Sequence, residues 1–233
     1  MTTVALSMTD DAAMLESFGG VARLFPLPNL VLFPGVDQGL HIFERRYRQL
    51  TTDALTSDRL IALVLLRPDW EAGYDGNPAI ESVACLGRIL RHERLIDGRY
   101  NLHVRGLARL AIDAEVPDDD KLYRLASGRL VRSIPPSDLQ RAMELRTNLR
   151  GAVLARFDPT SPAFAHLAAL FSSDAPLDRL CDQLGYRLPL LLPVKQQLLA
   201  EPDAAARADI LTAAFRQTNG STDRGFPPKF SSN

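Results

Sequence analysis

The sequence predicts an α+β fold, a β-rich N-terminal part followed by an α-helical C-terminal part. Three observations carry this. Up to about residue 133, apolar residues come in short continuous runs or at a period of two, as strands require. Asp97-Gly98 lies between two alternating runs, the pattern of a hairpin turn. From Ile134-Pro135-Pro136 onward the apolar period becomes 3.6. Strands followed by helices, instead of alternating with them, argue against βαβ winding.

Taken in order, residues 1–20 lack sustained periodicity and are expected to form a loose tail. Residues 21–25 form an apolar run ended by Pro26-Leu27-Pro28-Asn29, and residues 30–33 form a second run closed by Pro34-Gly35. Phe43, Tyr47, Leu50 and Ala54 share one helical face, which places a helix among the strands. The continuous run 60–66 reads as a buried strand. A two-residue turn at Asp97-Gly98 sets Leu95 against Tyr100 and His92 against His103. Leu95, Tyr100, Leu102 and Val104 then face the core, and Arg94, Asn101, His103 and Arg105 the wetter side. Residues 107–112 and 122–131 supply further strands, the second broken at Ser127-Gly128.

The helical part begins with a capping box, Ser137 with Gln140, and a helix through Leu139, Met143, Leu149, Val153 and Phe157. Ser161 and Pro162 give a second helix its N-cap and first residue. Leu177, Leu180, Cys181 and Leu184 form the face of a third, with Gly185 as its stop. Pro193 opens a fourth and Asp203 caps a fifth. The expected division is a tail over 1–20, a β-rich part over 21–134, helices over 135–217 and a disordered Ser/Gly/Pro-rich tail over 218–233.

Composition narrows the function. Of 233 residues 46% are hydrophobic and 24% charged, and the net charge is -1, which excludes a wholly disordered chain. No basic excess marks the chain for nucleic acid or an anionic membrane. Cys85 and Cys181 form no CxxC and read as buried thiols of a cytosolic protein, a long-range disulfide being the lesser alternative. The N-terminus lacks a basic region followed by an apolar run, so no signal peptide is expected. The apolar runs at 60–66 and 188–194 fall short of the roughly 20 residues of a spanning helix. A cytoplasmic protein is expected.

No residue set points to catalysis, a metal or a cofactor. His92 and His103 facing each other across a hairpin could chelate a metal, but a zinc site needs three or four ligands and no third is evident. His41 and His166 sit in apolar stretches and read as packed or surface residues. Lys121, after Asp118-Asp119-Asp120, reads as part of an exposed turn and not as a general base. No GxSxG elbow occurs. Arg88, Arg91, Arg94, Arg99, Arg105 and Arg109 could meet RNA phosphates, but Glu93, Asp97 and Asp113 interleave with them, so they read as a solvated strand face. Trp70 and Tyr74 lie on a Gly/Pro-punctuated loop and are the candidate partner-binding residues, since both rings offer large rigid contact area. The plainer reading packs Trp70 over the sheet edge.

One resemblance organises these features. Leu24-Phe25-Pro26-Leu27-Pro28-Asn29-Leu30-Val31-Leu32-Phe33-Pro34-Gly35 resembles the opening of the Lon protease N-terminal (substrate-binding) domain. Phe43-Glu44-Arg45-Arg46-Tyr47, Gly87-Arg88-Ile89-Leu90, Asp97-Gly98-Arg99-Tyr100 and Val104-Arg105-Gly106-Leu107-Ala108-Arg109 follow in that family's order. Leu190-Leu191-Leu192-Pro193-Val194-Lys195-Gln196-Gln197-Leu198-Leu199 resembles the closing helix, so the likeness covers about residues 21–217. It implies a PUA-like β-barrel, a helical bundle and a protein- or peptide-binding role. The sequence shows no GxxxxGK[ST] phosphate loop, and the expectation is a stand-alone, non-enzymatic member without ATPase or peptidase domains. The alternatives are a PUA-like RNA-binding module and a small-molecule-binding protein using a cleft between barrel and helices.

Overall fold

Six strands form one sheet in the computed structural model, which describes residues 8–73 and 76–217. They are β1 (Val21–Leu27), β2 (Asp37–Ile42), β3 (Leu60–Leu65), β4 (Val83–Arg94), β5 (Tyr100–Val116) and β6 (Leu125–Val131). Their order is β2-β5-β4-β3-β1-β6, and β6 also pairs with β5. This last pairing closes β1, β3, β4, β5 and β6 into a barrel and leaves β2 outside, hydrogen-bonded to β5 alone. Only β1 and β3 run parallel.

The period of two explains where the strand residues go. Ala22, Leu24, Leu60, Ala62, Val64, Ala84, Leu86, Leu107, Leu110 and Ala126 form one cluster to which every barrel strand contributes. These residues fill the barrel interior. Their neighbours Phe25, Leu27, Ile61, Leu63, Leu65 and Cys85 belong to a second cluster outside it. β3 is therefore buried on both faces, which is why its sequence is a continuous apolar run.

The outer cluster is covered by helices. α2 (Arg45–Leu55) buries Tyr47, Leu50 and Ala54, the face its spacing predicts. After β6 come α3 (Leu139–Leu154), α4 (Pro162–Ser172), α5 (Leu177–Arg187), α6 (Leu192–Ala200) and α7 (Ala204–Gln217). Their apolar faces, with Leu149, Val153, Phe171, Leu180, Leu184, Leu198 and Leu211, join the same cluster as Phe33 and Val104 of the β part. Buried polar contacts fasten the two parts. Arg109 of β5 meets Asp182 of α5 at 2.5 Å and donates from Nε to the Leu199 carbonyl at 2.8 Å. Arg207 of α7 shares the same Asp182 at 2.5 Å and donates to Ser133 Oγ at 2.9 Å. Gln196 donates to the Val83 carbonyl, and Ile134 exchanges backbone bonds with Pro202 and Ala204.

Several expectations need correction. Residues 8–16 form a helix, α1 (Met8–Glu16), in place of a loose tail, with Met14, Leu15 and Phe18 against the barrel interior. The short period-3.6 stretch was too weak to show without that surface. Residues 31–33 are buried but irregular, with Leu30 partly buried, and the second strand is β2, in which Gln38 takes a buried slot beside Leu40 and Ile42. The hairpin loop is one residue longer than a two-residue turn. Leu95 donates to the Arg99 carbonyl, and Gly98 adopts the left-handed φ of 81° that closes a three-residue loop. The register moves accordingly: His92 pairs with Leu102 and Arg91 with His103, so the two histidines lie on opposite faces.

β5 is one strand of 17 residues, and β6 passes through Ser127-Gly128 unbroken. Asp138, not Ser137, caps α3, accepting from the Arg141 amide at 2.7 Å. Leu139 and Met143 are exposed, and Leu145 replaces them on the buried face. Ser161 does cap α4, and α5 continues past Gly185 to Arg187. Gly185 serves close approach: a Cβ there would lie 3.1 Å from Phe33 Cζ. Both cysteines are buried and free, and burial pushes the Cys85 thiol up and the Cys181 thiol to about 12, which disfavours the thiolate form of each. Residues 1–7 and 218–233, including the expected C-terminal tail, lie outside the described residues.

Candidate functional site

The strand β1 ends in Pro26-Leu27-Pro28, and this end sets one wall of a groove. β6 pairs with β1 only at residues 21–23, and the Leu24 amide still donates to the Arg124 carbonyl, so that side of β1 is released from Phe25 on. Pro26, which lacks an N–H, sits in this stretch at no cost in ladder bonds while β3 holds the other side. The groove has a volume of about 270 Å³ and runs between residues 25–28, residues 41–44, Tyr47, Leu66 and Trp70.

Its lining is aromatic. Phe25 and Tyr47 meet edge to face with ring centroids 4.5 Å apart. His41 and Phe43 stack at 6.3 Å, and Phe43 is 47% exposed. Trp70 closes the other side, half-buried, on a turn reached through Asp69 at a φ of 64°. The loop that carries it is tied at its base by the Leu66–Ile80 bridge and by the bond from the Arg67 amide to the Ala79 carbonyl.

The polar groups here orient the rings. His41 Nδ1 lies 2.8 Å from Asn101 Oδ1, which fixes Nδ1 as the protonated nitrogen, and Asn101 in turn donates to Glu93. Among the described residues no group of three His, Cys, Asp or Glu side chains could hold a metal. The arrangement suits an apolar or aromatic side chain, with the free side of β2 alongside. β2 has β5 on one side and no strand on the other among the described residues. Its N-terminal half is blunted, because Gln38 donates to the Gly39 carbonyl and receives the Tyr186 hydroxyl. In the half next to the groove, residues 40–42, no side chain among the described residues bonds the backbone in this way.

Of the two residues singled out in the sequence, Trp70 stands in this groove and Tyr74 lies outside the described residues. Phe25, Phe43 and Tyr47 escaped the sequence reading because each sat in a run explained by the core. Phe43 lies before α2 and not on it, which the helical spacing hid.

The arginine run is a solvated face only in part: Arg91, Arg94 and Arg99 are exposed as expected, but two of the six are buried. Arg109 is 2% exposed and Arg88 6%. Arg88 pairs with Asp11, Arg99 with Asp97, Arg105 bidentately with Asp37, and Arg109 with Asp182. Lys121 is held by Asp53 at 3.0 Å, and that bond raises its pKa, the reverse of what a general base needs.

A closed barrel with an outer flap strand and a following helical layer matches a known domain. The model of the ATP-dependent protease La (LON) substrate-binding domain matches residues 21–214. The chain belongs to the Lon substrate-binding domain family. It is 28% identical over 216 residues to the Lon protease of Phenylobacterium zucineum, and 25% over 196 residues to that of Cytophaga hutchinsonii. It spans only 25% and 24% of the length of those relatives, though 91% and 83% of its own length aligns. The structure of a Lon N-terminal domain protein from Xanthomonas campestris superposes with a TM-score of 0.58 at 25% identity, covering 83% of this chain and 97% of that one. The N-terminal domain of Mycobacterium avium complex Lon protease superposes with a TM-score of 0.67 at 17% identity, covering 84% and 98%, and shows the shared fold. This Lon domain is thus a barrel-plus-helices fold of its family. No helix among its described residues is long and apolar enough to cross a membrane.

Proposed function

We propose that this Lon domain binds polypeptide without catalysing a reaction, holding an extended client segment along the free side of β2 with an apolar side chain in the adjoining groove. The observation that carries the reading is the aromatic groove of Phe25, Phe43, Tyr47 and Trp70 at the uncovered end of a strand with one free side. Main-chain bonds to such an edge give affinity for any extended chain, and the groove selects apolar side chains. Large rigid rings offer contact area at small entropic cost. Membership in a substrate-binding family supports the same reading. Pairing of Arg88, Arg99, Arg105 and Arg109 with carboxylates weighs against RNA, because a neutralised guanidinium releases few counterions on meeting a phosphate.

The test is fluorescence anisotropy with a labelled, permanently unfolded client peptide rich in apolar residues. Trp70→Ala and Phe43→Ala are each expected to weaken binding roughly tenfold or more, the usual loss for an aromatic anchor. The midpoint of thermal unfolding should hold in Phe43→Ala, whose ring is half exposed. Equal affinity in wild type and both variants would remove the groove from the account.

A further inference from the structure

A second cleft lies at the opposite end of β2 from the groove. It runs along residues 105–109 of β5, between α1 and α5, as two adjoining cavities of about 450 and 700 Å³. Arg105, Arg109, Arg132, Arg179 and Arg187 line it. The carboxylates outside α1 are Asp37, Asp178 and Asp182. Asp37 is taken by Arg105, and Asp182 is shared between Arg109 and the buried Arg207, so the floor carries more guanidinium than carboxylate. Arg132 and Arg179 are exposed on its rim with no ion-pair partner among the described residues.

α1 already lies against this cleft. Its Asp11 pairs with Arg88 at 3.0 Å and draws on Arg105, which stands beside Arg88 across the strand pair. Glu16 reaches the cavity that Arg132 and Arg179 line. Met14, Leu15 and Phe18 rest on the barrel interior, each only half-buried. An acidic, amphipathic helix thus covers a basic cleft with an apolar floor at Leu107, through few contacts.

We infer that this cleft is a second docking surface, one that takes an acidic amphipathic helix from a partner polypeptide, and that α1 is a displaceable occupant of it. The occupant is set by charge and shape together. The guanidinium excess asks for carboxylates. The apolar floor at Leu107, Leu130 and Val131, on which Leu15 of α1 now rests, asks for a helix face, which a lone small anion lacks. The surface is separate from the groove at Trp70 and does not rest on the function proposed for it.

The experiment uses the full chain and a fluorescein-labelled peptide with the sequence of residues 8–18, read by anisotropy at low and high salt. Asp11→Arg removes the internal pair with Arg88 and loosens α1. The peptide is then expected to bind about fivefold more tightly than to wild type, the upper range for a partly exposed ion pair. Adding Arg132→Glu and Arg179→Glu should abolish that gain and flatten the salt dependence, with the thermal midpoint unchanged because both side chains are exposed. Trp70→Ala should leave this binding as it is, which separates failure here from failure of the groove. The inference is overturned if Asp11→Arg binds no more tightly than wild type, or if the two charge reversals leave affinity intact. Competition by free glutamate at the concentration at which the peptide competes would also overturn it, since a small anion would then suffice.

Discussion

At the scale of single residues, buried charge decides more than the surface does. Asp182 is 1% exposed and answers two guanidiniums that are themselves buried, Arg109 and Arg207. Asp182→Asn leaves both without a counter-charge and should cost about 3–5 kcal/mol in urea unfolding. A loss within 1 kcal/mol (roughly the worth of a surface pair) would show that the cluster is not the clamp described. Lys195 supplies a pH test. Burial lowers its ammonium to about 8, while it donates to the Tyr186 carbonyl at 2.7 Å. Below pH 8 the charge persists in both states and the burial cost is fully present. Between about pH 8 and the unfolded value near 10.4 the folded chain sheds the proton first, so this residue makes stability rise with pH. Titrations of groups away from Lys195 are common to wild type and Lys195→Met. The difference between their urea midpoints at pH 7 and pH 9.5 therefore isolates Lys195, and Lys195→Met should lack the rise. None of this was legible beforehand. Arg109 falls in an alternating strand and looks like an outward residue until Asp182, 73 residues away, is brought beside it.

At the scale of elements, patterns buried on one side were legible and those that depend on a neighbour were not. The face of α2, the doubly buried β3 and the cap of α4 follow from spacing and capping alone. β2 was hidden because Gln38 occupies a core slot, its amide satisfied by Gly39 and Tyr186. The start of α3 misled because Leu139 and Met143 have helical spacing but face solvent. Two glycines test the packing of elements. At Gly106 a Cβ would stand 2.2 Å from the Phe33 carbonyl oxygen, where the chain at 33–36 is strapped to β5 through Gly35 and Val36. Gly106→Ala should destabilise by at least about 2 kcal/mol, since backbone must move. At Gly151, in α3, nothing lies within 4 Å, and Gly151→Ala should stabilise by about 0.5–1 kcal/mol. Denaturant midpoints check both; equal shifts of one sign would contradict the packing described.

At the scale of the whole molecule, barrel and helices share one core. Phe33, Val104, Leu184 and Leu211 belong to a single buried cluster, and Arg109, Asp182 and Arg207 tie three elements together within it. The chain should therefore unfold in one calorimetric transition whose enthalpy agrees with the van't Hoff value. Two separated transitions would mean that the halves are independent. The family was legible in the order of short motifs along the chain, because the motifs mark turns and caps that recur with the fold. The groove was legible only through Trp70. Its other rings come from β1, from the link after β2 and from α2, and only folding gathers them. An extended client along the free side of β2 would set one of its side chains beside Trp70. Hydrogen–deuterium exchange of the full chain with and without a saturating unfolded client peptide tests it most directly. Added protection is expected, confined to residues 39–47 and 66–71. Protection elsewhere with none in these segments would contradict it.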